Sequence, residues 1–123
     1  RQFITREPIN RDLLTRFESL LDNYFSSGRA QNAGLPTVKY CASELCLSSG
    51  YFGDLIKKET GKSAQAYIQS KVMDMAKGYL LDTEKSISQI SYGLGFQYPQ
   101  HFTRLFKKVV GQTPNDYRTK MVV

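Results

Sequence analysis

The run SISQISYGLGFQYPQHFTRLFKKVVG, residues 86–111, holds a helix start, a tight turn, and a second helix with its stop. Ser86 and Gln89 have the Ser-x-x-Gln spacing of a capping box, in which the hydroxyl accepts the backbone N–H three residues on and the amide side chain reaches back to the cap. Ile87, Ile90, Ser91 and Leu94 then recur at helical spacing on one face. Gly95 stands where a turn needs positive φ at low cost. Pro99 suits a first helical position, Phe102, Leu105, Phe106, Val109 and Val110 are expected to face inward, and Gly111 ends the run.

The same plan occurs once more upstream, as TVKYCASELCLSSGYFGDLIKKETG at residues 37–61. A shift of 50 lays Phe52 on Phe102, Leu55 on Leu105, Lys57 on Lys107, Lys58 on Lys108, Gly61 on Gly111 and Tyr67 on Tyr117. Nearer the start of each copy the shift is 49, pairing Val38 with Ile87, Cys41 with Ile90, Ala42 with Ser91 and Leu45 with Leu94, so the second copy has one residue inserted before Pro99. A short helix, a tight turn and a longer helix make a helix-turn-helix. Ala42 and Ser91 are small where the two helices of each copy must cross closely. Cys46 occupies the place of Gly95, and a non-glycine residue held in the left-handed region costs roughly 1 kcal/mol.

Around the repeat the apolar spacing stays helical. A first helix is expected from Leu13 through Phe17, Leu20, Leu21 and Tyr24, with Asn10 as N-cap and Gly28 as stop. Ser26 to Leu35 reads as a loop. From Ser63 a long helix carries the pairs Tyr67 and Ile68, Lys71 and Val72, Met75 and Ala76, and Tyr79 and Leu80. Thr113-Pro114-Asn115-Asp116 opens a last short one. No segment alternates as a strand would, so the reading is all-α, with about seven helices. Residues 1–36 form a leading helix and linker. Residues 37–120 form a bipartite unit: helix-turn-helix 37–61, linking helix 63–82, helix-turn-helix 86–111 and terminal helix 113–120. From Ser63 to Leu81 the linking helix would span about 27 Å at ~1.5 Å per residue. Successive major-groove faces on one side of B-DNA lie about 34 Å apart, so a single chain is expected to reach two of them.

Composition agrees with a polyanionic partner. Seventeen Lys and Arg against eleven Asp and Glu give a net charge of +6 in 123 residues, with 41% hydrophobic residues and only four prolines, enough for a core and too few for long disorder. No apolar run approaches the ~18 residues of a membrane span, and no secretory signal opens the chain, so a soluble, cytoplasmic protein is expected. The start at Arg1-Gln2-Phe3 without Met suggests a fragment of something longer. Two cysteines, Cys41 and Cys46, and one histidine support neither a zinc site nor a disulfide framework. No phosphate-cradling motif or catalytic triad spacing is present, so neither an enzyme nor a cofactor is expected.

Phe52-Gly53-Asp54-Leu55-Ile56-Lys57-Lys58-Glu59-Thr60-Gly61-Lys62-Ser63, then Ser86 to Ile90, Leu94-Gly95-Phe96, His101 to Lys108, and Gly111-Gln112-Thr113-Pro114-Asn115-Asp116-Tyr117-Arg118 closely resemble the DNA-binding domain of AraC/XylS-type transcriptional regulators. The resemblance covers about Thr37 to Lys120. It implies two helix-turn-helix units, a linking helix, binding to double-stranded DNA near promoters, contact with RNA polymerase, and a sensor or dimerisation domain on the N-terminal side. Two departures stand out. Ala64 replaces the proline found at Pro114 in the second copy. The exposed face of the first recognition helix has Gly50, Gly53 and Asp54 where the family often carries base-reading side chains.

With Phe102, Leu105 and Phe106 taken as core, the exposed face of the second recognition helix holds Gln100, His101 and Arg104, with Tyr98 at its start. Arg bonds bidentately to guanine and Gln to adenine in the major groove, and these two are four apart on one face. Lys57, Lys58, Lys107 and Lys108 lie farther along their helices, suited to phosphates. Arg118 suits either a phosphate or a cap. In the first copy the glycines would let the backbone approach DNA, and Asp54 offers at most an acceptor to a cytosine amino group. A helical protein-interaction module using the repeat only as scaffold is the competing reading. The basic residues and the Gln100, His101 and Arg104 face speak against that as its sole role.

Overall fold

In the computed structural model of the chain, residues 6–121 are described, with side chains from residue 11 to residue 120. These residues form eight helices and no strand: α1 (Arg6–Ser26), α2 (Arg29–Ala33), α3 (Val38–Glu44), α4 (Ser49–Thr60), α5 (Ala64–Asp82), α6 (Ile87–Gly93), α7 (Pro99–Val110) and α8 (Pro114–Met121). The chain divides into two compact units. Among the described residues, the first takes 6–26 together with Pro36–Ile68, and the second takes Ser27–Leu35 together with 69–121. α5 is one continuous helix that contributes to both.

The extra helix is α2, in the stretch expected to be a loop. Its RAQNA sequence is too short to show periodicity, and it is bounded by Gly28 at φ 80 and Gly34 at φ 87. It buries Ala30 and packs on α6, so residues 1–36 are not one leading segment: α1 packs on α4 in the first unit, while α2 belongs to the second. α1 also begins earlier than expected, at Arg6, so Asn10 lies within the helix and is not its N-cap.

Each unit is a helix-turn-helix whose hydrogen bonds repeat almost atom for atom. In the first, the N–H of Cys46 donates to Ser43 O at 3.0 Å and that of Leu47 to Ala42 O at 2.9 Å; in the second, Gly95 N–H donates to Tyr92 O and Phe96 N–H to Ser91 O, both at 3.1 Å. Ala42 and Ser91 are both buried at the crossing, and Ser91 Oγ has no hydrogen-bond partner among the described residues. Gly95 has φ 101, and Cys46 takes the same left-handed region at φ 62. Gly95 is needed for space as well. A Cβ there would lie 2.9 Å from the backbone carbon of Gly34 and 3.0 Å from Ala30 O, because α2 passes directly beside the turn.

The cores are aromatic. Phe17 of α1 meets Phe52 edge-on with centroids 4.9 Å apart and lies against Tyr67 at 5.2 Å, while the Tyr67 hydroxyl donates to Glu18 Oε2 at 2.6 Å. Burial, and then this bond to a carboxylate, push the Tyr67 pKa above the ordinary phenol range. In the second unit Phe102 packs on Phe96 at 5.3 Å, and Phe106 on Tyr117 at 5.6 Å. The inward stripes are narrower than the spacing suggested. α4 and α7 bury only the i, i+4 pairs Phe52 with Ile56 and Phe102 with Phe106. Leu55, Leu105 and Val110 are half-buried at the edge, and Val109, in the last turn, is exposed. On α5 the buried residues are Ala64, Ile68, Val72, Met73, Ala76 and Leu80. Met73 takes the place expected for Met75, and Tyr79 is exposed.

Candidate nucleic-acid interface

α7 presents the richer of the two candidate faces. Its N-cap, Tyr98, makes no side-chain cap bond, and Pro99 fills the first turn, where no backbone N–H is required. In the first unit Ser48 accepts the N–H of Tyr51 at 3.2 Å and so caps α4 directly. The residue inserted in the second copy thus exchanges a side-chain cap for an aromatic tip: four residues separate α3 from α4, but five, 94–98, separate α6 from α7. The Tyr98 ring is 48% exposed and meets the His101 ring nearly edge-on, at 5.3 Å between centroids and 77°.

Phe102 and Phe106, with no solvent exposure, fix the rotation of α7 and turn Gln100, His101 and Arg104 outward, all three exposed. Lys107 and Lys108 are exposed in the last turn, where they also complement the negative end of the helix dipole. α7 has no acidic residue, so the charges on its outer face, Arg104, Lys107 and Lys108, are all positive.

α4 has the same register and a different charge. Phe52 and Ile56 hold it, Lys57 and Lys58 lie exposed in its last turn, and Asp54 and Glu59 match them in number. Gly50 and Asp54 are exposed and Gly53 half-buried, and a Cβ built on either glycine would meet no atom within 4 Å. The fold therefore does not demand glycine at either position.

Arg118 belongs elsewhere. Its guanidinium donates through Nε to Leu80 O at 2.8 Å and through Nη2 to Thr83 O at 3.3 Å, closing the carbonyl end of α5. Of the two roles the sequence allowed it, phosphate contact or cap, the structure gives it the cap. Lysine and arginine near a helix C-terminus satisfy orphan carbonyls in this way.

Two exposed residues on or beside these faces were missed by sequence reasoning: Tyr51, 56% exposed on α4, and Gln97, just before Tyr98. The 50-residue shift that pairs Tyr51 with His101 was the signal for the first. Gln97 belongs to the lengthened turn, which has no counterpart to point to it. Among the described residues, no group of three or more His, Cys, Asp or Glu is placed to hold a metal ion, and no helix is long and apolar enough to cross a membrane.

Residues 41–120 match a protein-family model described as a helix-turn-helix domain. The HTH-type transcriptional regulator YtdP of Bacillus subtilis is 29% identical over 112 residues, covering 91% of this chain and 14% of that protein. The HTH-type regulator YobQ of the same organism is 35% identical over 85 residues, covering 69% of this chain and 35% of its own length. The chain thus spans only a seventh to about a third of these curated relatives. The C-terminal domain of AraT, a response regulator from Geobacillus stearothermophilus, superposes with a TM-score of 0.78 at 28% identity, over 90% of this chain and 87% of that one. With the duplicated helix-turn-helix, the aromatic anchors and the positive face of α7, these matches establish that the chain belongs to the AraC/XylS-type helix-turn-helix family, the DNA-binding domains of transcription regulators.

Proposed function

We propose that this domain binds double-stranded DNA in a sequence-specific way, with α4 and α7 as recognition helices in successive major-groove segments and α7 supplying most of the hydrogen-bonded base readout. The observation that carries the reading is the outer face of α7: Gln100, His101 and Arg104 in solvent, backed by two fully buried phenylalanines and continued by Lys107 and Lys108 with no acidic residue in the helix. Arg104 suits a guanine and Gln100 an adenine, each bidentate contact being worth about 1 to 3 kcal/mol of discrimination. His101, braced by Tyr98, adds a third contact at the helix start. The four lysines take phosphates. In a protein the size of its relatives the domain supplies the DNA address, catalyses nothing itself, and leaves effector sensing to another domain; contact with RNA polymerase falls within the same reading.

Selection from a random duplex pool, followed by affinity measurement on Arg104→Ala, tests it. The expected result is a recovered site with two half-sites one helical turn apart. Arg104→Ala should lose about 10-fold or more on that site and relax the preference at one guanine. A variant with wild-type affinity and wild-type base preference overturns the assignment.

A further inference from the structure

On α4 the face that should read DNA carries little that can hydrogen-bond a base. Gly50 and Gly53 have no side chain, and Asp54 is an acceptor whose charge opposes the phosphates. Tyr51 stands among them. Its backbone N–H is fixed by Ser48 Oγ at 3.2 Å, while its ring, 56% exposed, makes no hydrogen bond or ring contact among the described residues. Ring and hydroxyl are both available to a partner, and burying an aromatic ring is among the larger apolar gains open to a side chain. The repeat gives its direction. Tyr51 is to Phe52 and Ile56 what His101 is to Phe102 and Phe106, so the buried pair that aims His101 outward aims Tyr51 in the same register. The glycines on either side leave open space beside the helix, which lets the ring and the bare backbone approach a surface together.

We infer that Tyr51 is the base-reading side chain of the first unit and that its ring packs on a thymine C5-methyl, the apolar feature of the major-groove base edges. This rests on the DNA-reading function proposed above. The two units then read by different chemistry: α7 by hydrogen bonds to purines, α4 by apolar contact with thymine.

The test uses the duplex recovered by selection, a random duplex, and a set in which each thymine of the site is replaced singly by deoxyuridine, which lacks only that methyl. Tyr51→Ala should keep the wild-type melting temperature, bind the selected duplex about 10-fold more weakly, and bind random duplex as wild type does. Tyr51→Phe should stay within about 2-fold of wild type, because the ring and not the hydroxyl makes the contact. At one thymine, deoxyuridine should weaken the wild-type protein about 3-fold or more and leave Tyr51→Ala unaffected. Equal affinities for wild type and Tyr51→Ala, or a deoxyuridine pattern that does not change with the residue, overturn the inference while leaving the DNA-reading function intact. A wild-type protein that selects no sequence overturns that function and this inference with it.

Discussion

Cys46 and Gly95 occupy one structural position and pay different conformational costs. Both are left-handed, at φ 62 and φ 101, but only the glycine is free of Cβ strain, and the glycine's site is closed by neighbouring backbone. Cys46→Gly should therefore stabilise the domain by about 1 kcal/mol, while Gly95→Ala should destabilise it by clearly more, because an added methyl meets the backbone of Gly34 and Ala30. Chemical denaturation of the two variants checks the opposite signs. The other cysteine differs in kind. Cys41 is fully buried, and burial, with Glu44 nearby, raises its thiol pKa to about 11. A folded pKa above the unfolded value of 9.0 means that stability is intact below about pH 9 and falls as the pH rises towards 11. The expected loss is about 2 kcal/mol, absent from the pH profile of Cys41→Ala. In the native protein a thiol reagent at neutral pH should modify Cys46, which is exposed, and spare Cys41 until the chain unfolds.

Among the elements, α4 is the one whose composition conflicts with its role. Glycine in a helix interior costs up to about 1 kcal/mol relative to alanine, and nothing within 4 Å of Gly53 requires its absent side chain. Gly53→Ala should accordingly raise the melting temperature by several degrees. If the backbone of α4 lies against DNA, the same change should weaken binding several-fold, which separates a functional glycine from a structural one; affinity equal to wild type counts against close approach. The paired helices were legible because the repeat shows their apolar spacing and glycine stops twice, and because the Ser86 and Gln89 capping box and Pro99 act through local backbone chemistry. α2 was not legible, since five residues carry no periodicity and its position is set by packing on α6. The burial of Met73 in place of Met75, and the exposure of Val109, likewise depend on neighbours that spacing alone does not contain. At the candidate site, the exposed polar row of α7 follows from its buried phenylalanines. The capping role of Arg118 needs the fold that brings α8 to the end of α5.

For the whole molecule, charge is divided unevenly. From Tyr98 onward five basic residues, Arg104, Lys107, Lys108, Arg118 and Lys120, face the single acid Asp116, whereas on α4 lysines and acids are equal in number. Removing Lys107 and Lys108 together should weaken binding to all sequences and lower the slope of log affinity against log salt by about 1 to 2, and removing Lys57 and Lys58 should do so by less, because Asp54 and Glu59 already offset them. Titration at several salt concentrations measures both. α5 adds a property of a different order. A single helix supplies Ala64 and Ile68 to one core and Val72, Met73, Ala76 and Leu80 to another, and because helix formation is cooperative, loss of its hydrogen bonds in one half lowers the stability of the other. Melting of either unit is thereby communicated to the other, and calorimetry should record one transition for the intact domain. Gln69→Pro, at the point where the helix passes from one unit to the next, should split it into two. Cooperative unfolding across the duplicated units is in this sense a property of their shared helix.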